Sequence, residues 1–521
     1  MFLRSILIYC QIFDEKTHNR KLILIKRFPG YQKLFIGFLA IYLIRLLIVF
    51  TMGIMPQDAY YYLYSEHLDF SYFDHPPMVA YMLRLFGLIL GKSVVAIKLT
   101  DFIVTFLSLL AFYKLTRYFL SEKQAVRASL FYGTTLLLTV LSINTTPDVP
   151  LMLFWTLALI SCYKALFEGN IKYWIAAGFL MGLAFISKYT GLFLLFGFFA
   201  FLVFSKAHRK YLLSKQSILL LVFFAIGILP VVYWNYSNDW ASFAFQTADR
   251  AGSIEEFKLH PELFLGNLAT QLMLLIPFLF VGMVVIVFKM IKKVIRQKAL
   301  PNEKHLFLML FSLPIILFFF GVSLIYWVKL NWIMPGYISA IILVTAFLSQ
   351  KILRGQIITS LVLHVLLAVQ IVFYPVSVKS DDTWFGWDTF SYEVEKRMAD
   401  HPDAFLFADD NYKTSAVLDF YLERKIYAGN VVGSNGKQFS LLDPDLSHLK
   451  GSDAIFIDTD KRFKHLEKSE KIPEKLLPYF DRVVELNPIL IGKDGKEPLR
   501  KFLVYKCYGY KPKSAVDEKQ E

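Results

Sequence analysis

The chain has 521 residues, 56% hydrophobic and 17% aromatic, with a positive mean hydropathy; this is more apolar than an ordinary soluble domain and excludes a simple globular enzyme. Its net charge is +14, but Lys and Arg fall mostly in short loops between apolar runs, which is a membrane-topology signal and excludes a nucleic-acid surface. Cys10, Cys162 and Cys507 are too scattered for a disulfide framework or a metal motif.

The N-terminus is apolar from Phe2 to Phe13 but lacks a clear basic start and a small-residue cleavage site, so it does not read as a cleaved signal peptide. Residues 1–33 read as a cytoplasmic segment. Apolar runs then follow at Leu34–Met52, Val94–Phe119, Ala125–Leu141, Pro150–Phe167, Tyr173–Ile186, Thr190–Phe204, Ile218–Trp234, Leu263–Lys289, Leu306–Trp327, Ile333–Leu348 and Ile357–Phe373. They predict an α-helical polytopic membrane protein with about eleven transmembrane helices. Basic residues mark alternate connections: Lys33 before the first run, Arg117 and Arg127 after the second, Lys172 after the fourth, Lys210 after the sixth, Lys293 after the eighth and Arg354 after the tenth. By the positive-inside rule these connections are cytoplasmic, which puts the opposite loops, 53–92 and 235–262 among them, on the outer face. The expected transmembrane catalytic domain is 34–374.

Beyond it the composition turns mixed. Ala404–Phe407, Ala454–Ile457 and Phe502–Tyr505 read as short strands, and Ser391–Ala399 and Tyr412–Leu422 as helices. An extracytoplasmic soluble α/β domain is expected over 375–510, with a flexible tail at 511–521.

The outer loops hold the chemistry. The first opens on Pro56-Gln57-Asp58 and a tyrosine-rich stretch whose spacing suits a helix in the interface. Asp58 is a candidate catalytic acid, and Tyr61, Tyr62 and Glu66 are candidate substrate contacts; a helix-dipole partner also accounts for Asp58. Tyr72-Phe73-Asp74-His75-Pro76-Pro77 follows, placing an acid and a titratable base just beyond a span. A helix cap explains Asp74 without explaining His75. Asp148, in Thr146-Pro147-Asp148-Val149-Pro150, opens the fourth run, where a cap or dipole partner is again the plain alternative. Lys188 interrupts two apolar stretches as a point cation suited to a lipid phosphate, although lysines also snorkel. Arg250 and Lys329 suit the same task, and loop cations also contact headgroups. No Walker motif, dinucleotide fingerprint, H-E-x-x-H or cysteine pair stands in a convincing context.

Tyr-Phe-Asp-His-Pro-Pro-Met-Val-Ala-Tyr, Thr-Pro-Asp-Val-Pro-Leu-Met-Leu-Phe-Trp and Gly-Leu-Ala-Phe-Ile-Ser-Lys-Tyr-Thr-Gly together resemble bacterial glycosyltransferase family 39, multi-span C-type enzymes related to protein O-mannosyltransferases and lipid A aminoarabinose transferases. Similarity extends to Trp240–Phe243, Lys329–Tyr337, Gly386-Trp387 and Ala408–Thr414. The resemblance implies a C-type glycosyltransferase fold and an enzyme of the bacterial cytoplasmic (inner) membrane. It implies a polyprenyl-phosphate-linked sugar donor and transfer with inversion to a lipid, glycan or protein acceptor at the outer face, among membrane lipids. The family's first-loop Asp-Glu pair is here Gln57-Asp58, so its first acid is absent. The aminoarabinose transferases carry Glu-Lys-Pro where this chain has Asp74-His75-Pro76. Lys188 and Asp148 match a lysine and an acid of that group.

These parts predict Asp58 as first choice of general base, Asp74 as second and Asp148 as orienting acid. His75, Lys188, Arg250 and Lys329 are expected on the donor phosphate. No cofactor is required; the outer acids leave room for a loosely held divalent metal that the chemistry does not need. The rival class is a polytopic lipid or solute transporter or flippase. A transporter usually holds its charges near the midplane in broken helices or inverted repeats.

Overall fold

The computed structural model describes residues 31–249, 258–298, 300–493 and 497–512. Most of the expected N-terminal segment, Cys10, Arg250 and the tail beyond 512 lie outside the described residues. The helical part comprises α1 (Gln32–Thr51), α2 (Pro56–Glu66), α3 (Met78–Leu90), α4 (Val94–Thr116), α5 (Glu122–Gly133), α6 (Leu136–Ile143), α7 (Asp148–Phe167), α8 (Ile171–Ser187), α9 (Phe193–Phe204) and α10 (Lys215–Ser237). It continues with α11 (Pro261–Leu275), α12 (Pro277–Gln297), α13 (Glu303–Leu310), α14 (Leu313–Val322), α15 (Met334–Thr345) and α16 (Gln350–Phe373).

Six described spans are long and apolar enough to cross a bilayer, or up to eight if each bent pair counts as one. The expected count of about eleven is not reached by that measure. Each expected run is helical, but α8, α9 and α15 are shorter than a full crossing, and two runs break.

The breaks have identifiable causes. Between α5 and α6 the axis turns by 58°. Arg45 Nη2 donates to the Thr135 carbonyl at 2.9 Å and Ser360 Oγ to the Thr134 carbonyl at 2.6 Å, so the broken backbone keeps partners where water is scarce. Between α11 and α12 the turn is 113°. Pro277 brings no N–H to the ladder there and Ile276 adopts φ +65°. Gln356 satisfies both sides of that gap: its amide donates to the Leu275 carbonyl at 2.9 Å and accepts from Leu279 N at 3.2 Å. Elsewhere small residues let helices touch. A Cβ on Gly182 of α8 would lie 2.7 Å from the Cα of Gly227 on α10, the close approach favoured between membrane helices.

The C-terminal part is the expected α/β unit. Helices α17 (Trp387–Ala399) and α18 (Lys413–Tyr421) accompany strands β1 (Phe405–Ala408), β2 (Ile426–Tyr427), β3 (Ala454–Asp460), β4 (Phe480–Glu485), β5 (Ile489–Ile491) and β6 (Arg500–Tyr510), with α19 (Gln438–Leu442) between β2 and β3. The strand order is β2-β1-β3-β6-β4, with β5 beside β6. β1 runs parallel to β2 and β3, whereas β6 is antiparallel to its neighbours. Apolar faces of β1, β3 and β6 bury Phe407, Phe456 and Tyr505 together. This unit seats on the helical part through α18, which packs on α2, with Tyr412 stacked on Tyr60 at 4.1 Å between ring centres.

Candidate functional site

A cavity of about 1030 Å³ opens where α1, α6 and α8 end and α2, α7 and α15 begin, roofed by the C-terminal unit. Gln57, Tyr61, His75, Lys188, Lys329 and Asn331 line its helical side; Asp382, Asn411, Tyr412, Lys413 and Lys437 line the roof. Its other wall is aromatic, with Phe193 and Phe318 in ring contact at 5.4 Å and Phe196 of α9 turned outward, 60% exposed. One concavity therefore joins an apolar, outward-facing wall to a cationic interior.

The three predicted acids each stand one layer behind this lining, and each pairs with a lysine. Asp58 is fully buried in the first turn of α2, where Pro56 starts the helix and Asp58 caps it by accepting from Met55 N at 2.8 Å. The same oxygen accepts from Lys98 Nζ at 2.8 Å, and the other accepts from Thr145 N at 2.8 Å. Lys98 also donates to the last carbonyl of α6, Ile143, at 2.8 Å. Thr145 Oγ1 donates to Asp101 at 2.6 Å. Asp58 thus ties α2, α4 and the 144–147 loop together, and its lysine partner Lys98 is fully buried and does not line the cavity. Its neighbour Gln57 faces the cavity instead, accepting from Asn144 Nδ2 at 2.9 Å.

Among the described residues Asp148 caps no backbone N–H. Both its oxygens accept from Lys188 Nζ, at 2.9 and 2.8 Å, and Asn331 Nδ2 donates at 2.6 Å. Lys188 and Asn331 line the cavity. Four buried polar atoms here have no hydrogen-bond partner among the described residues: Asn144 Oδ1, Thr146 Oγ1, Thr190 Oγ1 and Asn331 Oδ1. All four residues line the cavity, a density of unmet bonds that suits a hydroxyl-rich ligand.

Asp74 accepts from Tyr64 and, at 3.3 Å, from Tyr60, both through Oδ1, while Oδ2 faces Lys437 Nζ at 3.7 Å. Burial pushes this carboxyl up, but the charges of His75 and Lys437 and the two tyrosine bonds outweigh it and hold it below the usual carboxylate range. Its neighbour His75 lines the cavity, with its ring 5.8 Å from that of Tyr61.

The structure thus gathers Tyr61, His75, Lys188 and Lys329 in one cavity, with Asp148 and Asp74 immediately behind. It does not bring Tyr62 and Glu66 there. Tyr62 packs edge-on against Phe420 of α18 at 5.3 Å, and Glu66 pairs with Lys92 at 3.4 Å. Sequence reading missed Lys98 and Asp101, although two charges inside an apolar span were a usable signal. It also missed Lys413, Lys437 and Asp382, which come from the C-terminal unit, distant in sequence. No group of three or more His, Cys, Asp or Glu suited to a metal occurs among the described residues.

Residues 74–234 match the model of the dolichyl-phosphate-mannose-protein mannosyltransferase family, under a third of the chain. A lipid A galacturonosyltransferase, RgtD, from Rhizobium johnstonii is 24% identical over 300 residues, 57% of this chain and 61% of that protein. The match therefore spans less than two thirds of that relative's length. Among solved structures, ArnT from Cupriavidus metallidurans in the apo state shares 13% identity at a TM-score of 0.57, over 91% of this chain and 98% of that one. The same protein bound to undecaprenyl phosphate aligns at 0.56, also at 13% identity, over 90% and 97%. These comparisons show a partial match to one family model and a fold shared with ArnT over most of both chains.

Proposed function

We propose that this protein is an integral-membrane glycosyltransferase that moves a sugar from a polyprenyl-phosphate donor to a lipid, glycan or protein acceptor. The reaction runs at the outer face of the bacterial cytoplasmic membrane, with the domain of residues 375–510 extracytoplasmic. The carrying observation is the two-sided cavity: an aromatic wall open outward for an isoprenoid tail and lysines inside for the phosphate. Relatives support the donor class, since ArnT, a neighbour of the same fold, binds undecaprenyl phosphate and the matched family is that of dolichyl-phosphate-mannose-protein mannosyltransferases.

In one displacement the acceptor's oxygen or nitrogen bonds to the anomeric carbon from the face opposite the phosphate. The bond from that carbon to the phosphate oxygen breaks, its electron pair stays on the phosphate, and the configuration inverts. Lysines already fixed beside the leaving oxygen stabilise the charge as it develops. The acceptor's proton needs a carboxylate. We assign it to Asp148, whose partners Lys188 and Asn331 both line the cavity. Asp58, saturated by Lys98, Met55 and Thr145, is a positioning residue. The charged residues that line the cavity sit where α1, α6 and α8 end and α2, α7 and α15 begin, which favours this reading over a transporter.

Mass spectrometry of envelope lipids and glycans from a strain lacking the gene tests it. One sugar residue should vanish from one acceptor class while its polyprenyl-phosphate form accumulates. Unchanged masses in every class would refute the assignment.

A further inference from the structure

Lys437 sits in the turn before α19, at φ +54° and ψ −123°. That left-handed corner favours glycine, and a lysine persists there only where its surroundings over-determine it, as happens at ligand clamps. The surroundings do so here. Asn435 Oδ1 accepts from Lys437 N at 2.8 Å. Gln438 accepts from Phe73 N at 2.9 Å through its side chain and donates its own N–H to the Tyr60 hydroxyl at 3.3 Å. The turn is thus bolted to the loop that carries Asp74 and His75.

The ammonium lies 4.6 Å from the centre of the Tyr412 ring and 3.7 Å from Asp74 Oδ2, and it lines the cavity beside His75. At 3.7 Å the contact with Asp74 is an ion pair and not a hydrogen bond. Among the described residues no hydrogen bond from this ammonium is present. By contrast Lys188 and Lys413 each donate to a carboxylate at 2.8 Å. Lys437 therefore keeps its three donors for a ligand, with the Asp74 carboxylate on one side and the Tyr412 ring beneath.

We propose that Lys437 is the donor-phosphate ligand on the Asp74–His75 side of the cavity, so that the C-terminal domain completes the donor site. This rests on the polyprenyl-phosphate reading above. When the bond from the anomeric carbon to the phosphate oxygen breaks, the electron pair left on that oxygen develops facing the Lys437 ammonium. Docking of the soluble domain and donor binding are then one event.

Undecaprenyl phosphate binding to the full chain in nanodiscs is the test, with thermal unfolding as the folding check. Lys437→Met keeps the alkyl chain on Tyr412 and should weaken binding about tenfold or more. Lys437→Arg should stay near wild type. Adding His75→Lys to Lys437→Met should restore most of the affinity, which a merely structural lysine would not allow; Lys437→Gln serves if the Met variant does not fold. Wild-type binding by Lys437→Met, or failure of His75→Lys to rescue it, overturns the assignment alone. Absence of binding by the wild-type chain overturns the polyprenyl-phosphate reading together with it.

Discussion

Lys188 and Asp148 face each other through both carboxylate oxygens, at 2.9 and 2.8 Å, with the lysine 7% exposed and the acid fully buried. A buried pair of this kind is strongly harmed by removing one member. Here Asp148 is also the acid assigned to the acceptor's proton. Asp148→Asn should lower turnover by about 10²–10⁴-fold, the usual worth of a general base. It should also lower the melting temperature, while the protein that remains folded binds undecaprenyl phosphate within a few-fold of wild type. Steady-state kinetics and binding on the same preparation separate the two, and normal kcat would remove Asp148 from the mechanism.

Asp58 should behave differently. Its ion pair with Lys98 is buried on both sides, and Asp58→Asn strands the ammonium, at a cost of about 3–5 kcal/mol. The double variant Asp58→Asn/Lys98→Met removes both charges and should recover much of that stability. Detergent unfolding curves of the single and double variants measure it. A double variant no more stable than the single one would show that the pair is not what α2 and α4 need.

The seam between α2 and α18 carries a pH dependence. Burial, with Glu66 adding to it and Lys92 opposing, pushes the Asp419 carboxyl up to about 7. The folded state then holds a proton that the unfolded chain gives up near pH 4. Its contribution is fully present below that pH and is lost as pH rises through about 7. Asp419→Asn should remove this slope and melt about 2–4 °C above wild type at pH 8. At pH 4 the two should coincide. Parallel melting curves across the whole range would contradict the assignment.

Much of the helical part was readable because its signals are local. The apolar residues of α1 and the basic loops between runs need no tertiary contact to be seen. Asp148 and Lys188 stood out because each interrupts or opens an apolar run. Pro277, inside the run expected as one span, carried the signal for the bend between α11 and α12. The division of labour among the acids was not readable. That Asp58 is consumed by Lys98, whereas Gln57 beside it reaches the cavity, depends on how α4 packs. Lys437 and Lys413 were hidden for the same reason: nothing local distinguishes a lysine that roofs a cavity from one in solvent. The short strands β2 and β5 carried too few residues for a period.

Bond transfer at the cavity is tested with purified protein in liposomes. Radiolabelled polyprenyl-phosphate sugars are supplied with an outer-membrane extract, and the fate of the label is followed. The label should leave the polyprenyl phosphate and appear on an acceptor, with inverted anomeric configuration. Label that crosses the bilayer while still attached to its polyprenyl phosphate would make the protein a flippase and not a glycosyltransferase.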